Sequence, residues 1–405
     1  MTFAHIVTRR RLRRLPLSGS LLGRIAAALG LVATLAVPAL PAAAETPPAE
    51  IRFAFASPKI GSPPQYTIGT AGIAYSKGLF EEEFKNDKTK FEFFFFKGAG
   101  PAVNEAFTNK QIDFAAHGDL PSVIGRAAGL KTRLLFANNH RNNIYLAIPP
   151  NSTLKSVKDL RGKKVSFHKG TNSQTPINRL LRANGLTERD LKVVNLDTAS
   201  GKAALLNGDI DALFGSIDLL PLRDEGKLKI LFTSNGNSPV YTRQAHVHVD
   251  DEFATKYPET TRRIVKVLVK AAHWGSLPEN RAEVLKLWAI PGVYTTSILE
   301  EDYGPDLSGR FSPLFDPFLV GRYKDVVKDA HEYKLTRKTF EVEPWIDRSF
   351  VNAVLKEEKL EGFWTPLDVN GKPIKGANRA SAASDKPAAA PVKTAATGTT
   401  SGAAK

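Results

Sequence analysis

The sequence predicts an α/β protein folded as two lobes, and three observations carry that prediction. Short strand-like runs alternate with helical ones along most of the chain, the pattern of a mainly parallel sheet with helices on its faces. At 405 residues the chain is longer than one core usually serves. A segment also recurs: NEAFTNKQID (Asn104 to Asp113) and KAALLNGDID (Lys202 to Asp211) share Ala, Asn, Ile and Asp. Each copy ends a helix near Asn and opens a strand at Ile-Asp.

Residues 1–44 read as a secretory leader. RRRLRR is a basic start, Ile25 to Val37 an apolar stretch, and PAAA a small-residue cleavage point near Ala44. The apolar stretch is too short for a membrane span of about 20 residues. TRRRLR partly matches a twin-arginine signal, so both export routes stay open. The chain has no cysteine, which removes both a disulfide framework and a lipid-modifiable thiol. A freely diffusing periplasmic monomer is expected.

The net charge of +15 invites a nucleic-acid reading. Yet the leader holds six arginines and no acid, and the stretch from Gly376 holds four basic residues against one acid, which leaves +6 for the body. That surface is mildly basic, and no nucleic-acid partner is expected.

Strands are expected at IRFAFA, FEFFFF, IDFAAH, RLLFA, KKVSF, KVVNL, DALFG and KILF, and helices at AGIAYSKGLFEEEF, AVNEAFTNK and QTPINRLLRANGL. NIYLAIPPNS and RQAHVHV are strand-like crossings between blocks. From about Asp250 the chain turns helical. PETTRRIVKVLVKAAHWG sets Ile264, Val267, Leu268 and Ala271 on one stripe, with Pro at its start and Gly at its end. The expected organisation is a first lobe of residues 45–147 and 247–375, a second lobe inserted at 148–246, and a tail at 376–405 too poor in apolar groups to pack.

FEFFFFKGAGP packs five phenylalanines into six positions and then stops. A near-continuous apolar run suits a parallel strand covered on both faces. The loops past the carboxyl ends of such strands are where these sheets bind ligands. KGAGP, HGDLP, KGTNS and FGSID are four such strand-to-helix turns. Helix N-termini carry unpaired N–H groups and partial positive charge, so converging starts make an anion site. The candidate ligand-binding residues are Gly98, Gly100, Pro101, Gly118, Asp119, Gly170, Thr171, Asn172, Ser173, Ser216 and Asp218. The glycines, with Gly215, let backbone come close, Gly118 with freedom for a positive φ. The hydroxyl and amide residues supply hydrogen bonds. Asp119 and Asp218 either hold helix starts or meet an amine or hydroxyl.

His246-x-His248 and His117 are histidines of a kind that strands place together by chance, so no metal and no cofactor is expected. No Gly-x-Ser-x-Gly, phosphate-binding lysine loop or paired catalytic carboxylate signature occurs, and no enzyme is expected.

From about Ile51 to Trp364, and most densely between Gly98 and Asp218, these segments resemble the periplasmic substrate-binding proteins of aliphatic sulfonate, taurine and nitrate ABC importers. GAGPAVNEAFTNKQIDFAAHGDLPSVIGRAAG, STLKSVKDLRGKKVSFHKGTNSQTPINRLLRANGL and NGDIDALFGSIDLL carry the likeness in order. The resemblance implies the two-lobed type 2 periplasmic binding protein fold, the Venus flytrap, with its ligand cleft between lobes. It further implies a solute-capturing component that closes on a small organic anion, foremost an aliphatic sulfonate. Delivery to a membrane permease and its ATPase follows. One departure stands out: Ser216-Ile217 occupy the place where sulfonate binders often carry a Trp, and Leu219-Leu220 the place of Pro-Tyr. Nitrate, a taurine-like zwitterion, a pyrimidine precursor and a secreted enzyme on this fold therefore stay open.

Overall fold

The computed structural model describes residues 45–374, so the leader expected at 1–44 and the tail expected at 376–405 lie outside the described residues. Ten strands form two sheets: β1 (Glu50–Phe55), β2 (Lys90–Phe95), β3 (Phe114–Gly118), β4 (Thr132–Ala137), β5 (Tyr145–Ile148), β6 (Lys164–Ser166), β7 (Lys192–Val194), β8 (Ala212–Gly215), β9 (Lys229–Thr233) and β10 (Ala245–Asp250). The first sheet has the order β2-β1-β3-β10-β4 and the second β7-β6-β8-β5-β9. Both follow one plan. Three parallel strands are followed by an antiparallel fourth, against which the fifth also runs antiparallel.

In each sheet the fourth strand is a crossing strand: β5 as the chain leaves the first sheet, β10 as it returns. The boundaries expected at 147/148 and 246/247 therefore fall inside paired strands, and the connections proper are 138–144 and 234–244.

The repeat read in the sequence has one structural meaning in both copies. Asp113 Oδ2 accepts from the Arg52 backbone N–H at 2.8 Å, and its own N–H donates to the Arg52 carbonyl at 2.9 Å. Asp211 makes the same pair with Lys164, at 2.7 and 2.8 Å. Each aspartate locks the start of its parallel strand to the strand beside it, β1 in one sheet and β6 in the other.

The phenylalanine run is β2, parallel to β1 as expected, but it lies at the sheet edge and its rings are half-buried. Phe91, Phe93 and Phe95 share one face, where Phe93 meets Tyr75 edge-on at 4.8 Å and Phe95 stacks on Phe55 at 5.0 Å. Phe94 and Phe96 turn to the other face and pack with the core around Val103 and Phe107. Both faces are thus clothed, and the open edge leaves the rings partly wet.

The expected AGIAYSKGLFEEEF helix breaks into Gly69–Ser76 and Leu79–Phe84 at Gly78, whose φ of 65° no continuous helix permits. The long helix Pro258–Ser276 forms as expected and buries Ile264, Val265, Leu268 and Ala272 against the first sheet's core. Among the described residues no helix is long and apolar enough to cross a membrane.

Candidate functional site

A cavity of about 460 Å³ opens where the carboxyl ends of all six parallel strands converge. Ala56 follows β1, Lys97 follows β2, Gly118 ends β3, His168 follows β6, Asp197 follows β7 and Ser216 follows β8, and every one of them lines it. Helix starts converge there too. Ile68 precedes the helix Gly69–Ser76, Ala99 opens Ala99–Thr108, Ser173 precedes Gln174–Ala183, and Asp197 caps Thr198–Asn207. The positive dipole ends of these helices favour a negative group in the cavity. A second depression of about 520 Å³, lined by Lys324, His331 and Phe340 among others, has no strand residue in its lining.

Carboxylates at an anion site look out of place, but each acid here is held by groups of its own. Asp218 Oδ1 accepts from Ser216 Oγ at 2.7 Å, and Oδ2 faces Lys202 Nζ at 3.3 Å. Asp197 accepts the Ser200 N–H at 3.0 Å, which pulls its carboxyl below the usual range. Asp302 Oδ1 accepts from the Tyr145 hydroxyl at 2.7 Å and from Asn143 Nδ2 at 3.0 Å. Arg243 differs. Its Nη2 donates to the Asn143 carbonyl at 3.2 Å, while its buried Nε has no hydrogen-bond partner among the described residues.

The sequence-chosen residues divide. Gly118, Thr171, Asn172, Ser173, Ser216 and Asp218 line the cavity. Gly98, Gly100, Pro101, Asp119 and Gly170 do not. Gly100 is explained by packing, since a Cβ there would meet the Pro121 ring at 2.3 Å. Gly98 is exposed, and the positive φ of its loop belongs to Ala99 at 52°. Gly170, with φ 74°, sits beside the exposed Pro101, a Cβ on it lying 3.5 Å from the proline ring. Gly118 has φ −87° and ψ 161°, ordinary extended backbone, so conformational freedom is not its reason. A Cβ at Gly118 would instead lie 2.6 Å from Asn172 Cβ, and that close approach requires the glycine.

Asp119 turns away from the cavity. It is 2% exposed, accepts the Leu120 N–H at 2.7 Å, and burial pushes its carboxyl up to about 7 against the pull of Arg179 and Arg243.

Sequence reasoning missed the aromatic part of the lining: Tyr66, Tyr294 and Tyr303, joined by Ile60, Ile290 and Val293. These come from the loop before the helix Gly69–Ser76 and from the segment 290–303, neither of which is among the four strand-to-helix turns read from the sequence. They supply an apolar wall to the cavity. Burial drives the Tyr66 hydroxyl up to about 12 and those of Tyr294 and Tyr303 well above the ordinary range, so all three stay neutral.

Comparison with known proteins agrees with this fold. Residues 96–276 match the family model described as NMT1/THI5 like. The crystal structure of a periplasmic sulfonate-binding protein, SsuA, of a sulfonate ABC transporter from Methylobacillus flagellatus KT is similar with a TM-score of 0.69 and 33% identity. That match covers 80% of this chain and 98% of the other. An aliphatic-sulfonate-binding protein of Escherichia coli is 30% identical over 185 residues, which are 45% of this chain and 54%, about half, of that protein. One from Bacillus subtilis is 23% identical over 302 residues, covering 74% of this chain and 88% of its own length.

Proposed function

Because the chain belongs to the family of periplasmic sulfonate-binding proteins of ABC transporters, we propose that it captures an organosulfonate in the cavity between its two sheets. The cavity carries this reading. It joins converging helix starts and an incompletely satisfied Arg243 to a wall of Tyr66, Tyr294 and Tyr303. A sulfonate is an anion at every physiological pH and presents three acceptor oxygens, which suit N–H donors that need not titrate. Its organic tail suits the tyrosine wall, whereas nitrate has no tail to place there.

In this reading the acids do not repel the ligand, because each is neutralised or hydrogen-bonded before it arrives. Gly118, Thr171, Asn172, Ser173 and Ser216 bring backbone and short polar groups to the anion. Asp218 holds Ser216 in place. The two sheets with their helices act as lobes that close on the ligand, the connections 138–144 and 234–244 serving as the hinge. The closed monomer then docks in the periplasm on a permease with its ATPase. We read it as a binding protein rather than an enzyme, in line with the relatives named for binding.

A thermal-shift and calorimetric series of alkanesulfonates from methane- to octanesulfonate tests the proposal, with nitrate, sulfate, taurine and pyrimidines alongside. At a hundred times its dissociation constant a true ligand adds about 2.7 kcal/mol to stability. Affinity should rise with chain length until the cavity is filled. Binding of nitrate or a pyrimidine with no response to any sulfonate would overturn the substrate class.

A further inference from the structure

Three histidines meet beside the cavity. Residues two apart on a strand point to one face, so β10 presents His246 and His248 together, and the register sets His246 opposite His117 of β3. The ring centroids lie 4.9 Å (His117 to His248), 5.1 Å (His246 to His248) and 6.2 Å (His117 to His246) apart. One nitrogen from each ring lies within 4.8 Å of the other two. All three residues are at most 1% exposed, and His117 also lines the ligand cavity.

Their hydrogen bonding is uneven. His117 Nε2 lies 3.1 Å from the Gly100 carbonyl oxygen, which can only accept, so Nε2 carries the proton and Nδ1 is a lone pair. That lone pair faces Ser122 Oγ at 2.6 Å. His246 Nε2 faces the same oxygen at 3.1 Å, and the Gly118 carbonyl is a third neighbour at 2.8 Å. The serine proton serves only one acceptor, while its oxygen can accept from His246 Nε2, so both rings depend on this one hydroxyl. His248 is the extreme case: neither ring nitrogen has a partner among the described residues, and the ring rests edge-on against Phe107 at 4.6 Å. Native interiors rarely leave such a group unpaired. Burial holds the rings uncharged, bringing His117 down to about 4 and His246 and His248 far below the ordinary histidine range.

We propose that His117, His246 and His248 hold one divalent transition-metal ion of the class imidazole nitrogens favour, with zinc as the type, in a site that shares His117 with the wall of the ligand cavity. The outer partners already orient two ligands. The Gly100 carbonyl fixes His117 with Nδ1 inward, and the Tyr323 hydroxyl beside His246 Nδ1 can accept its proton and leave Nε2 inward. His248 needs no rearranged hydrogen bond, because it makes none. Zinc–nitrogen bonds of about 2.0–2.1 Å set tetrahedral nitrogens roughly 3.3 Å apart, so the widest pair must close by about 1.5 Å, within reach of side-chain rotation. Ser122 Oγ, between two of the inward nitrogens, stands at the fourth position.

The test uses the full chain, stripped with a chelator and titrated with zinc chloride by calorimetry. One ion per chain is expected. His248→Phe keeps a ring edge-on to Phe107 and should lose zinc affinity at least a hundredfold while keeping its circular dichroism spectrum and its sulfonate affinity in the absence of metal. Cobalt(II) should give the visible bands of a tetrahedral nitrogen-ligated ion in the wild type and not in the variant. Should His248→Phe fail to fold, His246→Gln carries the same readouts. His273→Ala and His331→Ala, outside the cluster, should bind zinc as the wild type does. No zinc uptake by the wild type, or equal uptake by His248→Phe, would overturn the site.

Discussion

Gly118 and Asn172 meet at the wall of the cavity, so close that a Cβ on Gly118 would lie 2.6 Å from Asn172 Cβ. The two residues belong to different sheets, one ending β3 and the other lying in the loop after β6. Asn172 Nδ2 also reaches the Gln244 carbonyl at 3.3 Å, which fastens its loop to the returning chain. The close approach of the two lobes here therefore depends on the absence of one methyl group.

Gly118→Ala tests that limit. The backbone at 118 is one any residue adopts, so the variant should fold with an unchanged circular dichroism spectrum. Its methyl group blocks Asn172, and sulfonate affinity should fall at least tenfold by calorimetry. Adding Asn172→Gly makes room again and should recover part of the loss, a coupling expected only of residues in contact. Wild-type affinity in the single variant would show that closure does not bring these residues together.

Arg243 is a cavity cation with donor capacity to spare, since its Nε has no hydrogen-bond partner among the described residues. Hydrogen bonds to charged groups contribute about 1.5–3 kcal/mol, so Arg243→Gln should weaken sulfonate binding by roughly 10- to 150-fold. The urea midpoint of the ligand-free protein should move little. A dissociation constant that stays put would remove Arg243 from the anion.

What the sequence made legible was local. Strand runs ending in glycine turns located the rim of the cavity, because a parallel sheet places its loops where its strands stop. The Ile-Asp repeat located Asp113 and Asp211, because a side chain that closes a strand start leaves a fixed spacing from the helix before it. Illegible was anything set by packing at a distance. Gly100 and Gly118 look alike as turn glycines, yet one makes room for Pro121 and the other for Asn172. Asp119, beside Gly118 in the chain, turns into the interior. Tyr294 and Tyr303 reach the cavity from a segment with no periodic signal, and β2 looks central by composition though it lies at an edge.

A second bridge ties the two halves together away from the cavity. Arg179 and Arg182, on the helix Gln174–Ala183, meet Asp329 of the helix Pro317–Glu332 at 3.2 and 3.3 Å. The side chains of Arg179 and Asp329 are only 12% and 9% exposed. Asp329→Asn leaves the Arg179 guanidinium buried without its counter-charge, which should cost about 3 kcal/mol, read as a lower urea midpoint. Arg179→Met in that background removes the stranded charge and should regain much of the loss. Equal midpoints for the single and double variants would mean that Arg179 is hydrated and the bridge is ornamental.

The repeated aspartates allow burial to be tested with geometry held constant. Asp113 and Asp211 make the same two backbone bonds at the same place in equivalent sheets. Asp113 is 6% exposed and also receives Arg52 Nε at 3.1 Å and Nη2 at 2.6 Å, whereas Asp211 is exposed to water. Losing Asp211 leaves the Lys164 N–H free to find water, and Asp211→Ala should cost only about 1 kcal/mol. Losing Asp113 strands the Arg52 N–H where water reaches poorly and removes a charge-assisted pair besides. Asp113→Ala should therefore cost about 2–3 kcal/mol. Urea unfolding of both variants gives the comparison directly. If the two costs are equal, the shared backbone bonds dominate; if Asp211→Ala costs more, the equivalence of the two strand starts fails.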